Sequence, residues 1–524
     1  MAGVGSEIEG LKDGQLWGEI VADEGKIWKL NNGRIAKKKT EGTKWKFRQA
    51  GGYSRPMMGM VRKSSSISSI STIHREPHTH EANYETWTSN QSAINIIEAM
   101  KQTDSHSPAF FADDSTPFCL IIHNHTKHID KRDKTALKVA SEVQSDLINN
   151  LPETTDAIEV ELNLLTGESG HDLSRTLSDR INSNNIHKVV LHLQHSQSVG
   201  VLEKLVEVLP VSRIERLHLN GEFEVDTVKE LFEVLYDSKV TWFDFESKSV
   251  GKNDLAFQWD CTRLKHLEIK CKRISDLTVK YIAKQLPAAK DLNFLLLRSN
   301  AFTDKALEYL VGEDDNRYLA KSQIQELRIC SRAAESTDIG DQGVQILAAA
   351  LPQCKIETLY IDLNNLTDSG VKHLANCLPI SKIKHLYLNR NTKTTKIGTD
   401  SVSVLADVIS NDRIGKLVSL GLRCHNINQA SFEKLMQSLE NNTNVTALAI
   451  RGITPDLKWD HNTFNGCRAT ITELNLGGNK LTLNAVEQIA NLLKDSSVKD
   501  LNLWNCSIDD EGAKKLGDML KSNK

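Results

Sequence analysis

The sequence has no run approaching the ~18 consecutive apolar residues of a membrane-spanning helix, and its first ten residues lack the apolar stretch of a secretory signal. Cysteine is scarce: nine in 524 residues, an odd number, which excludes a disulfide framework and points to the reducing cytoplasm. Neither sign of charge is in excess. The 65 Lys and Arg against 68 Asp and Glu leave a formal charge of −3, so any attraction to nucleic acid or anionic membrane must be local. There is also no G-x-x-x-x-G-K-[ST] phosphate loop, G-x-S-x-G elbow, H-E-x-x-H or paired C-x-x-C. No catalytic constellation is visible, and a non-enzymatic chain without metal or cofactor is expected.

What is present is a repeat. With 39% hydrophobic residues most of the chain should fold, and 524 residues exceed one ordinary core, so several domains or a repeat array are required. From about residue 186 onward, an apolar residue, two variable ones, an apolar residue, one variable and an apolar residue recur. Examples are Ile214/Leu217/Leu219, Leu264/Leu267/Ile269, Ile356/Leu359/Ile361 and Val498/Leu501/Leu503. The central anchors 217, 243, 267, 295, 327, 359, 386, 420, 448, 474 and 501 lie 24 to 34 residues apart. Two further copies, near Val160 and Val189, have ambiguous register. Each copy predicts a short strand with one buried face. Several are followed by an asparagine or cysteine and an apolar residue, as in Asn300/Phe302, Asn479/Leu481 and Cys506/Ile508, suited to satisfying backbone groups where the chain turns. Amphipathic helical stretches follow, with Asp341 and Asp368 placed at helix starts.

These residues resemble the leucine-rich repeat family, specifically its ribonuclease-inhibitor-like class. The resemblance covers residues 186–524 and implies an α/β solenoid with a curved parallel sheet inside and helices outside. It further implies protein partners on the concave face, and a scaffold or adaptor role in signalling or innate-immune regulation. Regulation of actin or a small GTPase is an alternative that it also allows. The residues pointing outward from the strands are rich in the types that dominate protein interfaces. Trp242, Phe294, Arg298, Arg328, Tyr360, Asp362, Tyr387, Arg423, Arg451 and Trp504 are therefore the candidate partner-binding residues. The bland reading of the same positions is a solvated strand face with cross-strand packing.

The first third differs. Residues 1–63 carry thirteen Lys and Arg against seven Asp and Glu, with Trp17, Trp28 and Trp45 interleaved, and read as a small basic module. Contact with nucleic acid or membrane through it is one alternative. Residues 64–116 read as a serine-rich, polar linker, and 117–185 as an α/β segment that forms a cap or atypical repeats. His123, His125 and His128 have a metal-ligand spacing similar to the metallo-β-lactamase signature, but Lys127 stands where that family has aspartate. Residues 118–122 with the following helix-like stretch look like the opening of a caspase-type domain spanning 117–265, in which His195 and Cys261 would be base and nucleophile. The Q-A-C-R-G motif of that family is missing, and a structural role for Cys261 is expected.

Overall fold

The computed structural model describes residues 175–181, 186–193 and 199–522, excepting 252–254, 258, 313–315, 331–338, 363–364, 389–396, 411–415, 440–441, 454–469 and 495. Upstream it describes the backbone of seven strands: β1 (Gly18–Ala22), β2 (Lys26–Lys29), β3 (Arg34–Lys38), β4 (Trp45–Gln49), β5 (Thr72–Arg75), β6 (Phe118–Ile122) and β7 (Thr155–Leu162). The tryptophans and basic residues of 1–63, His123, His125, His128 and His195 lie outside the described side chains. The chain forms two compact units, 56–301 and 302–524 together with 1–55.

In the unit 56–301, β8 (Lys188–Leu193), β9 (Arg216–Gly221), β10 (Trp242–Ser247), β11 (His266–Cys271) and β12 (Phe294–Arg298) pair in chain order, all parallel. β6 and β7 precede β8 in the same parallel order, and the register sets Ile158, Val160 and Leu162 opposite Val189, Leu191 and Leu193. That resolves the two copies whose register is ambiguous in the sequence. Helices α1 (Val199–Val208), α2 (Val225–Val234) and α3 (Asp276–Gln285) connect strands. The strand anchors face them: Leu217, Leu219, Phe243, Phe245, Leu267, Ile269, Leu295 and Leu297 are fully buried. Phe232 of α2 meets Phe243, Phe245 and Trp259 edge-to-face at centroid distances of 5.2, 5.3 and 4.7 Å, the arrangement favoured by ring quadrupoles.

Between β10 and β11 no helix forms among the described residues; Val250, Leu255 and Trp259 are buried in its stead. Gln285 fastens this segment, its Nε2 donating to the Trp259 carbonyl at 2.5 Å and its Oε1 accepting from the Cys261 N–H at 2.7 Å.

In the unit holding 302–524, β13 (Glu326–Cys330), β14 (Thr358–Asp362), β15 (His385–Leu388), β16 (Ser419–Ile427), β17 (Ala447–Ile453), β18 (Glu473–Asn475) and β19 (Asp500–Asn502) are again parallel and sequentially paired. The longer helices among the described residues are α4 (Asp304–Val311), α5 (Asp341–Ala350), α6 (Asp368–Cys377), α7 (Thr399–Ser410), α8 (Gln429–Ser438), α9 (Leu483–Leu493) and α10 (Asp510–Ser522). The Asn479 expectation holds: its buried Nδ2 donates to the carbonyls of Ile450 and Leu476 at 2.8 and 2.7 Å. Cys506 acts likewise toward Leu476. At the Asn300 copy the buried Ser299 hydroxyl donates to the Ile274 carbonyl at 2.8 Å.

Two polar ladders tie helices to their surroundings. At the helix-to-strand turns a serine hydroxyl donates to the leucine carbonyl three residues earlier, as in Ser212, Ser238, Ser322, Ser381, Ser438 and Ser496. In most of these the same oxygen accepts the N–H two residues on, which closes the turn that sends the chain into the next strand. Ser238→Ala is therefore expected to cost about 1–3 kcal/mol, the penalty of leaving the Val240 N–H unsatisfied in a buried turn, read as a lower urea midpoint.

The second ladder runs along the helix N-termini. Asp304 Oδ1 accepts the N–H groups of Gly340 and Gly343 at 2.8 and 2.9 Å; Asp341 Oδ1 accepts that of Thr367 at 2.8 Å. Asp368 Oδ1 accepts those of Gly398 and Ser401 at 2.8 and 3.1 Å. Each aspartate sits in the first turn of one helix and caps the next helix along. Gly343 and Gly370 leave room for it: a Cβ at either would collide with the carboxylate of Asp304 or Asp341.

Candidate protein-binding face

Residues alternating with the buried anchors project from the sheet on the side away from the helices. Because the parallel strands pair with no offset, equivalent positions of successive copies become rows across the sheet.

In the unit 56–301 the first row is Arg216, Trp242, His266 and Phe294. Arg216 lies over Trp242 at 5.2 Å, Trp242 stacks on His266 at 3.6 Å, and His266 stacks on Phe294 at 3.9 Å, with ring planes within 12°. The ring faces are used on one another, so the row offers mainly ring edges, and Trp242, 40% exposed, contributes most. The next rows hold a closed polar network. Asp244 binds His218 Nδ1 at 2.5 Å and Lys270 Nζ at 3.1 and 3.2 Å. Glu268 takes Lys270 from the other side and His266 Nε2 at 3.0 Å. Burial acts to raise the pKa of Glu268, but the hydrogen bonds from His266 and Lys270 and their charges prevail, holding it at about 2 against the usual 4.5. For Lys270 burial acts downward, and the Asp244 and Glu268 carboxylates outweigh it, so its pKa is raised. Arg298 closes β12, half-buried. Such a network fixes the surface rather than presenting reactive groups.

In the unit 302–524 the central row is Arg328, Tyr360, Tyr387, Gly421, Ala449, Asn475 and Asn502. Arg328 is held by Glu326 through Nε at 2.6 Å and lies over Tyr360 at 5.6 Å. Tyr360 and Tyr387 form a tilted pair with centroids 5.7 Å apart. The Tyr387 ring leans across the next strand, over the bare Cα of Gly421, where a Cβ would collide with its Cδ1. In the adjoining row Arg423 and Arg451 are register partners. Trp504 lies beyond β19 in a turn, 45% exposed.

Asp362 lies on the outward side of β14 but is not the accessible group expected of it. It is only 8% exposed, at the last position of β14, which leaves little of it open to a partner. The two tyrosines and the two arginines are brought together; Trp242 and Phe294 belong to the other unit. Sequence reasoning passed over Asp244, Glu268 and Lys270 as site members. Opposite charges at nearby outward positions of adjacent copies were the available signal.

The described cysteines are buried. Cys261 is fully buried, and burial with the adjacent Asp260 charge pushes its thiol up to about 12, the reverse of an activated nucleophile. The proposed protease pairing therefore finds no support at Cys261. Among the described residues no group of three or more His, Cys, Asp and Glu could hold a metal ion, and no helix is long and apolar enough to cross a membrane.

A family model described as Leucine Rich repeat matches residues 353–375 and 494–517, which span β14 with most of α6 and β19 with the start of α10. No curated protein matches the chain. Parallel strands alternating with helices, the leucine anchors on the helix side and the two matched repeats give this chain the architecture of a leucine-rich repeat solenoid.

Proposed function

We propose that this chain is a cytoplasmic, non-enzymatic scaffold or adaptor that docks a protein partner on the open, concave face of the sheet in residues 302–524. The observation that carries this reading is the half-buried Tyr360/Tyr387 pair, flanked by Arg328 on one side and Arg423 and Arg451 on the other. Tyrosine and arginine desolvate large areas at small entropic cost, and a rigid sheet holds them preorganised. Several strands can supply the roughly 1,200–2,000 Å² that a specific complex buries. In residues 56–301 Trp242 and Phe294 are already stacked into a ladder, which makes them secondary contributors.

The test uses the full chain and a partner isolated with it. Tyr360→Ala with Tyr387→Ala should weaken that partner by about tenfold or more, the loss typical of hot-spot truncation, while the urea midpoint shows that the fold persists. Unchanged affinity in the folded variant rejects this docking face.

A further inference from the structure

Arg451 is out of balance with its surroundings. It is half-buried in β17, with the like charge of Arg423 directly across the ladder, and its guanidinium makes no hydrogen bond or ion pair with any described residue. Burial and the Arg423 charge both act to release its proton, so its pKa is lowered. A guanidinium carries five donors, and a desolvated cation without an acceptor costs stability. The Tyr387 hydroxyl likewise makes no hydrogen bond to a described residue, and its ring leans over Gly421 toward the strand that carries Arg451. Gly421 and Ala449 keep the floor between them low.

The charge around this spot limits the ligand. Arg328 is occupied by Glu326, while Asp362, Glu473 and Asp500 stand on the same face. The face is not a basic field, which disfavours a polyanion or a dianion and suits a single negative charge.

We propose that Arg451, with Arg423 beside it and the Tyr360/Tyr387 pair in front, receives one carboxylate from an extended segment of the protein partner in which Asp or Glu adjoins an apolar side chain. The carboxylate takes the arginine donors and the apolar neighbour packs on the tyrosine edges. This inference rests on the docking reading above and adds the chemistry of the ligand.

The experiment is a peptide-display selection on the full chain, followed by affinities of the selected peptide, its Glu→Gln (or Asp→Asn) form and its phosphoserine form. They are measured on wild type, Arg451→Gln and the double tyrosine variant. The acidic peptide should bind Arg451→Gln about tenfold or more weakly than wild type, whereas the neutral peptide should bind both within about twofold; that difference is the coupling of the pair. The urea midpoint of Arg451→Gln should equal or exceed that of wild type, because an uncompensated charge has been removed. A lowered midpoint would mark Arg451 as structural and overturn the proposal. Peptides sensitive to the tyrosines but indifferent to Arg451 and to their own acid would leave the docking face standing and overturn the carboxylate assignment, as would tighter binding of the phosphoserine form. Failure to enrich any peptide, or binding indifferent to the tyrosines, removes the docking reading and this inference with it.

Discussion

Asp368→Ala is expected to lower the unfolding free energy of the unit containing residues 302–524 by about 3 kcal/mol, with the damage concentrated one repeat away from the substitution. The first N–H groups of a helix have no partner within it. For α7 two of them, Gly398 and Ser401, donate to Asp368 Oδ1, as does the Ser401 hydroxyl. Hydrogen bonds to an ionised acceptor are the stronger kind, and the carboxylate also lies at the positive end of the α7 dipole. Removing it strands those donors at about 1–3 kcal/mol each where they are poorly solvated. In a solenoid such bonds belong to the coupling between neighbouring repeats rather than to the repeat that carries the residue. Amide exchange should therefore accelerate at the N-terminus of α7 more than within α6. Asp368→Asn keeps an acceptor and should lose about a third as much. A drop in stability under about 0.5 kcal/mol, or exchange changes confined to α6, would show that the aspartate serves only its own helix.

This ladder also shows where sequence reasoning stops. Asp341 and Asp368 are legible as helix-start residues, and both are found in the first turn. For α6 the local cap is Thr367, whose hydroxyl accepts the Ser369 N–H at 3.2 Å, and the Asp368 carboxylate is used about thirty residues further on. Only stacking brings these groups together, although the glycine two residues after Asp341 and Asp368 was a visible hint of something close by. The serine turns had a plainer signature, leucine, two residues, serine, one residue, then isoleucine or valine, and it is a period of the same length as the strands. The strand anchors were fully legible because a period-2 pattern needs no long-range information: Leu217, Leu267, Leu359, Leu420 and Leu501 are all buried as read. The outward residues were legible as a set and not as a site. Their rows depend on a strand register without offset, their exposure depends on neighbours, and Asp362 illustrates the second point. The irregular stretch ahead of β11, where a helix was due, follows from Val250, Leu255 and Trp259 filling the core without helical spacing.

Glu268→Gln is expected to remove a stabilising charge from the face of the unit 56–301 and, with it, a large part of that unit's sensitivity to acid. The folded pKa of Glu268 is about 2, below the usual 4.5, because Lys270 and His266 bind its ionised form more strongly than burial disfavours it. A depressed carboxylate pKa means that stability is fully present above the unfolded value and is lost as pH falls from about 4.5 through about 2. At about 1.4 kcal/mol for each tenfold change in proton affinity, the ionised group contributes about 3 kcal/mol near neutrality. The neutral glutamine should cost about this much at pH 6 and about nothing at pH 2, so the urea midpoints of wild type and variant should converge on acidification. Lys270 works in the opposite sense: its raised pKa makes its contribution complete below the unfolded value and lost only in alkali. In a Lys270→Met background, the Glu268→Gln substitution should therefore lose part of its acid-dependent effect, since one of the two groups that depress the carboxyl is gone while the His266 hydrogen bond remains. Midpoints that stay parallel from pH 6 to pH 2 would mean that the network is solvated and that the surface it braces, the ladder from Arg216 to Phe294, is not held rigid by it.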